Sequence, residues 1–281
     1  MEQTSEFFDY SGPPNLFNLV VKDEDDQFPL KVIKKEKISP DTYLWELEFP
    51  NPEWISGLWP AGHIKWHAHI DGKQHTKFYS PISAVNKKGS AEFVIKTYRN
   101  HPDFPEGGKF TQHLENNVNV GDSINCEGPV GMIRYLGYGK FQFKKEVLEH
   151  KKNKIGLVAG GSGITPMYAI AQASAYAKDG VEVTLLFTNK TKDDILCKAQ
   201  LDELAKYDNV KVFHTLTRHK EEHGAWDGLQ GRVSLEMLKN CGFPQPADDI
   251  YICYCGPKAM NNTVVDVLNE GGYEAGKHFP G

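Results

Sequence analysis

Four short stretches of this 281-residue chain hold residue types able to bind and react. Lys77-Phe78-Tyr79-Ser80 sets a cation, two aromatic rings and a hydroxyl in a row, fixed by Pro81. Tyr79 offers a flat face to a planar ring, and Ser80 a hydrogen bond to a ring nitrogen. Gly107-Gly108-Lys109-Phe110-Thr111 is a nest of main-chain amides suited to phosphate. In Gly160-Gly161-Ser162-Gly163-Ile164-Thr165-Pro166 an apolar run gives way to a helical pattern. Glycines there let the backbone approach a diphosphate, and the helix N-terminus adds donors and partial positive charge. Cys255-Gly256-Pro257 ends another apolar run, at the edge where open α/β sheets take ligands. Taken singly, each stretch also reads as something plainer: a barrel strand, a surface turn, a tight strand-to-helix turn, a buried cysteine before a turn. Taken in order, they describe a ring-bearing cofactor and a dinucleotide delivered to it. The glycine spacing is not Gly-x-Gly-x-x-Gly, which argues against a standard Rossmann dehydrogenase.

The elements that must position these residues change rhythm along the chain. Residues 1–27 read as an arm with a turn-forming Ser11-Gly12-Pro13-Pro14 and a solvated Asp23-Glu24-Asp25-Asp26. From 28 to 137 short alternating runs (30–37, 42–49, 63–70, 75–80, 91–98, 123–127) predict six strands closing a small antiparallel barrel. The lysine-rich stretch 138–153 is expected to be a linker. Over 154–281, buried-strand runs at 155–159, 181–187, 210–216 and 250–255 alternate with helical patterns at 166–178, 193–206 and 259–268. Such alternation predicts an α/β domain with a parallel sheet covered on both faces. Thr165 is expected to cap the first of these helices and Gly180 to end it.

Composition narrows the partners. With 40% hydrophobic, 25% charged and 11% aromatic residues, the chain suits one large globular domain or two ordinary ones. A net charge of −5, with no strongly basic half, argues against nucleic acid. The five cysteines show neither zinc nor ferredoxin spacing, so reduced thiols in a cytoplasmic protein are expected. No run of about 18 apolar residues exists and neither terminus carries a lipidation signal, so no membrane span or anchor is expected. His63, His67 and His69 fall in one strand, but no carboxylate or cysteine completes a metal set nearby.

Taken together, the motifs resemble the ferredoxin reductase-like flavoenzymes that carry electrons from a pyridine nucleotide to a cytochrome. The flavin motif Arg-x-Tyr-Ser/Thr-x-x-Ser is matched by 77–83, and Val-Ile-Lys-x-Tyr by 94–98. Gly-Gly-Lys-x-Ser/Thr is matched by 107–111, Gly-Pro-x-Gly by 128–131, Gly-Gly-x-Gly-Ile-Thr-Pro-Met by 160–167, and Cys-Gly-Pro by 255–257. The likeness runs from about residue 28 to near the end and implies a barrel holding FAD, an α/β domain holding NADH, and reactive rings meeting between them. By position it implies catalytic roles for Ser80, Lys96, Thr165 and Cys255. Flavin contacts would come from Lys77, Phe78, Tyr79, Ser80, Val94, Ile95, Tyr98 and Phe104, with Gly107, Gly108, Lys109, Phe110 and Thr111 at the diphosphate, and Lys96 would help place NADH. Nicotinamide nucleotide contacts would come from Gly161, Ser162, Gly163, Thr165, Pro166, Thr217, Cys255, Gly256 and Pro257. Phe279 is a candidate for the family's terminal aromatic.

The resemblance further implies cytochrome b5 or a similar haem protein as acceptor, and a monomer. A same-fold reductase serving a nitrate reductase- or oxygenase-type acceptor, or a nucleotide sensor without catalysis, stands as the alternative. Two departures carry expectations. Lys77 replaces an arginine, losing the bidentate fork, which predicts a weaker hold on FAD. Thr217 replaces the usual aspartate, beside Arg218 and Lys220, which predicts relaxed discrimination and use of NADPH.

Overall fold

The structure, a computed structural model, describes residues 15–17, 26–102, 105–144, 146–148, 153–220 and 224–274, with the main chain of 278–280. The chain divides into two units, Met1–Gly131 and Met132–Gly281. Phe104 lies outside the described residues, as does the Phe279 side chain.

In the first unit, β1 (Phe28–Ser39), β2 (Thr42–Glu48), β3 (His63–Ile70), β4 (Lys73–Tyr79), β5 (Ser90–Lys96) and β6 (Ser123–Val130) form one antiparallel sheet, with helix α1 (Lys109–Asn117) between β5 and β6. The strand order is β4-β3-β6-β1-β2-β5. The two end strands share no ladder. Instead the segment after β4 bonds to β5, with Ile82 N–H donating to the Glu92 carbonyl at 2.8 Å and Glu92 N–H to Ser83 Oγ at 3.1 Å. Alternation dictates the packing: Phe28, Leu30 and Val32 of β1 point inward while the intervening residues face solvent. Trp66, fully buried, meets Trp45, Phe93 and Tyr79 edge to face at 6.3, 5.0 and 4.9 Å. Phe110 and Leu114 dock α1 onto this core.

Beyond the core, α1 is held by a polar clamp. Lys35 Nζ donates to the carbonyls of Leu114, Glu115 and Val118 at 3.2, 2.6 and 2.6 Å, capping the helix C-terminus with a cation. Glu115 accepts from Tyr43 Oη at 3.0 Å and Arg99 Nη2 at 2.5 Å.

The second unit opens with a small antiparallel sheet of β7 (Ile133–Gly137), β8 (Lys140–Phe143) and β9 (Glu146–Val147). The stretch expected as linker therefore carries two strands. Phe141, buried, stacks on Tyr251 at 4.3 Å, and Tyr135 donates to the buried Asp179 carboxylate. The main sheet, all parallel, has the order β13-β12-β11-β10-β14-β15. Its strands are β10 (Lys154–Gly160), β11 (Glu182–Asn189), β12 (Val210–Leu216), β13 (Leu229–Gln230), β14 (Ile250–Cys255) and β15 (His278–Pro280). Helices α2 (Ile164–Ala177), α3 (Lys198–Leu204), α4 (Leu235–Asn240) and α5 (Lys258–Glu270) connect them.

Two helices differ from expectation at their boundaries. A 3-10 turn at Gly161–Gly163 leads directly into α2, so Thr165 lies inside its first turn rather than capping it. The helix stops at Lys178, which takes a left-handed φ of 50° and ends the hydrogen-bonding pattern before Gly180. The helix expected over 193–206 shortens to 198–204, because Thr191 and Asp194 form a capping box on a separate 3-10 turn.

Candidate cofactor and nucleotide sites

In the first unit, the 77–80 stretch leaves β4 as expected. Lys77 is exposed and Phe78 is 57% exposed, while Tyr79 is half-buried against Trp66 and Ser80 is buried. Burial pushes the Tyr79 phenol well above its ordinary range, so the ring stays neutral. Phe78 and Tyr98 (40% exposed) are two large aromatics left in solvent on one unit, the kind of surface a flat ring covers.

Along β5 the alternation sorts the candidates. Phe93 and Ile95 pack into the core, so Ile95 can offer a cofactor only its main chain. Val94 and Lys96 share the opposite face. The Lys96 ammonium is paired with Asp41 at 3.1 Å, and Asp41 also accepts from the Ser39 and Thr42 hydroxyls.

The glycine nest precedes α1. Gly107 has φ +59°, and a Cβ there would lie 2.7 Å from the Tyr98 carbonyl oxygen, so only glycine fits. The Gly108 N–H donates to that carbonyl at 2.7 Å, so it is spent within the unit, which corrects its expected role at phosphate. The amides of Lys109, Phe110 and Thr111 precede the first helical bond, Gln112 N–H to the Gly108 carbonyl. Three donors and a helix N-terminus thus converge. The Phe110 ring is core, and Thr111 Oγ1 donates to the Gly108 carbonyl while accepting from Tyr98 N–H, at 3.0 and 3.1 Å. These residues fit FAD: a neutral tyrosine ring, a buried serine, exposed Lys77 and unspent amides.

In the second unit, β10 and β14 are neighbours, which places their carboxyl ends side by side. A Cβ on Gly163 would stand 2.2 Å from the Cys255 carbonyl oxygen and 2.7 Å from the Gly256 nitrogen, so the glycine loop and the Cys-Gly-Pro turn touch through their backbones. Gly161 is the opposite case: at φ +53° its Cβ would meet nothing within 4 Å. The loop is therefore closed on the Cys255 side and open at Gly161, a cradle of the shape a diphosphate needs. Ser162 is exposed, while Thr165 is buried and donates to the Ser162 carbonyl at 3.2 Å. Pro166 is buried in the first turn of α2, and Pro257 is exposed at the start of α5. Burial pushes the Cys255 thiol up to about 11, so it is a neutral, polarisable group at physiological pH rather than a thiolate. Thr217 sits in an exposed turn, apart from these two loops in the chain, with its N–H and hydroxyl both donating to the Asn189 carbonyl at 2.9 and 3.1 Å.

Sequence reasoning missed three supports. Met260 fills the space behind both turns, within 2.3 Å of a Cβ on Gly160 and 2.6 Å of one on Gly256; its position three residues after Pro257 on a helix start was the available signal. Asp41, which holds Lys96, comes from the β1–β2 turn, and Trp66, beneath Tyr79, from the neighbouring strand β3; no local pattern points to either. Among the described residues no grouping of His, Cys, Asp and Glu is arranged to hold a metal ion. His67 instead meets Thr76 and Gln74 through Nδ1 and Glu127 through Nε2.

Comparison with known proteins agrees with this division. The oxidoreductase FAD-binding domain model matches residues 29–135, and the oxidoreductase NAD-binding domain model matches 157–266. NADH-cytochrome b5 reductase 3 of Mus musculus is 36% identical over 86% of this chain and 82% of its own. The NADH nitrate reductase of Volvox carteri is 33% identical over 94% of this chain but 31% of its own. The crystal structure of the cytochrome b5 reductase domain of Ulva prolifera nitrate reductase superposes with a TM-score of 0.85 at 30% identity, covering 92% of this chain and 98% of that one. With FAD- and NAD-binding units in this order and such identity along most of its length, the chain belongs to the NADH–cytochrome b5 reductase family of oxidoreductases.

Proposed function

We propose that this protein takes electrons from NADH through FAD and hands them singly to cytochrome b5 or a similar haem protein. The observation that carries the reading is the backbone contact of Gly163 with Cys255, which makes one open cradle out of two turns far apart in sequence. FAD, when bound, supplies the ability to accept a hydride and to release electrons one at a time. The chain's own residues bind and orient. Lys77 and the Lys109, Phe110 and Thr111 amides balance the diphosphate charge. Tyr79 presents its ring, and Ser80 donates or accepts at the ring edge. Thr165 and Cys255 orient the nicotinamide, and a protonated Cys255 keeps that contact free of charge. Lys96, fixed by Asp41, supplies a positive charge of set position for the nucleotide.

Support for the acceptor comes from the names of the relatives and from the exposed Lys109 side chain, which suits an acidic haem protein. The nitrate reductase relatives favour a second reading, in which the acceptor is another haem-bearing protein or domain. A monomeric, cytoplasmic protein completes the proposal; among the described residues no helix is long and apolar enough to cross a membrane.

Purified protein is expected to be yellow, to bleach on addition of NADH, and to reduce cytochrome b5 at a rate that falls as salt rises. Colourless, well-folded protein would sink the reading. Bleaching without reduction of cytochrome b5 would move the assignment to the second acceptor class.

A further inference from the structure

We infer that the carboxyl edge of β11 and β12 is a 2′-phosphate subsite, so that NADPH serves as reductant alongside NADH. The inference rests on the second unit being a nicotinamide nucleotide site. In α/β nucleotide folds the diphosphate lies at one βα turn, and the ribose is read further along the same sheet edge. A carboxylate there selects a free 2′-hydroxyl, whereas an arginine nearby accommodates a 2′-phosphate.

Here the glycine loop follows β10, and β11 and then β12 lie beside it in the sheet. The end of β12 is thus two strand spacings away, about 10 Å. The turn leaving it reads Thr217-Arg218-His219-Lys220 and holds no carboxylate. Two main-chain bonds sew it to the end of β11: Thr217 N–H to the Asn189 carbonyl and Arg218 N–H to the Lys190 carbonyl, each 2.9 Å. Lys190 and Arg218 therefore start from adjacent points, and both are exposed. Neither makes an ion pair among the described residues.

The buried residue under the turn is Asn189, 6% exposed, whose side-chain nitrogen and oxygen have no partners among the described residues. It is an amide, so no negative charge underlies the edge. Of the acids that follow β11, Asp194 is committed to Thr191, accepting from its N–H and hydroxyl at 3.0 and 2.7 Å. Two cations without an ion pair among the described residues, and a neutral threonine, thus stand where an NAD-selective edge carries an acid. Attraction of a phosphate dianion is present, and within the described turn 217–220 no carboxylate stands to repel it.

Titration calorimetry of the FAD-loaded protein with 2′,5′-ADP and with 5′-ADP tests this directly. The expected result is that 2′,5′-ADP binds at least as tightly as 5′-ADP, with an advantage that shrinks as salt rises. Arg218→Leu and Lys190→Met should each weaken 2′,5′-ADP by roughly tenfold and leave 5′-ADP unchanged, one charge-assisted contact being lost. Thr217→Asp should reverse the order of the two ligands. If NADH bleaches the protein and 5′-ADP binds, but 2′,5′-ADP binds tenfold or more weakly, the subsite is overturned and the reductase stands. If neither ligand binds and NADH leaves the flavin oxidised, the nucleotide site itself is refuted.

Discussion

The two glycine turns solve the same problem by different means. Gly107-Gly108, in the first unit, is stitched by hydrogen bonds: Gly108 N–H and Thr111 Oγ1 tie it to Tyr98 and to itself, and its helix is clamped through Lys35, Tyr43 and Arg99. Gly160–Gly163, in the second, is held by the absence of side chains. Gly160, Gly163 and Gly256 let Met260 and the Cys255 carbonyl approach to distances at which no Cβ fits. A stitched turn weakens in steps as donors are removed, whereas a close-packed turn fails when a single methyl is added.

That contrast can be broken most directly at Gly163. Gly163→Ala places a Cβ 2.2 Å from a backbone oxygen that has no flexible end to move. Overpacking of this kind costs about 1–3 kcal/mol, so the KM for NADH should rise by roughly ten- to a hundredfold. The FAD content should be unchanged, since the first unit is untouched; an alanine variant with ordinary NADH affinity would remove the close-packing account.

Next in size is the clamp. Glu115→Ala leaves Arg99 and Tyr43 without their acceptor and should cost about 2 kcal/mol, read as a lower Tm of the first unit and faster FAD release. Burial pushes the Glu115 carboxyl up, but the hydrogen bonds from Arg99 and Tyr43 together outweigh it and leave the group below its ordinary value of 4.5. A depressed folded value means that this stabilisation is fully present above the unfolded value and is lost as pH falls through the folded one. The wild-type Tm should therefore drop below about pH 4.5, and Glu115→Gln should flatten that acid limb. An acid limb identical in both proteins would assign it to other carboxylates.

A single stitch should matter less. Thr111→Val removes one hydroxyl that both donates and accepts, and FAD dissociation should speed up by about fivefold, near 1 kcal/mol. A drop as large as that at Glu115 would mean that the turn is not held in independent steps.

The smallest expected effect is at Cys255. With its thiol near 11, NADH-dependent bleaching should show no thiol step between pH 7 and 9, and Cys255→Ser should preserve the profile's shape. A step in that interval, lost in the serine variant, would show a thiolate in the site.

Much of this was legible beforehand where chemistry and local pattern coincide. The runs expected as strands at 30–37 and 91–98 coincide with β1 and β5, and β1 alternates at its start as a half-buried strand must. The continuous apolar run ending at Gly160 announced a strand buried on both faces. The stretch 138–153 was harder to read: its lysines outweighed Phe141, whose stacking on Tyr251 lies more than a hundred residues away. The capping expectation for Thr165 failed because glycines at 161–163 already turn the chain, leaving the threonine inside the helix.

By itself, the order of residues determined the two-unit division of labour, the strand and helix rhythm and the glycines, since each follows from side-chain volume and backbone freedom within a few residues. Only the folded arrangement decided which donors remain to bind a ligand. Gly108's amide is spent on Tyr98, Lys96 is engaged by Asp41, and Lys190 meets Arg218 at neighbouring strand ends. Hydrogen-bond partners are set by distance in space, and a linear chain does not state that distance.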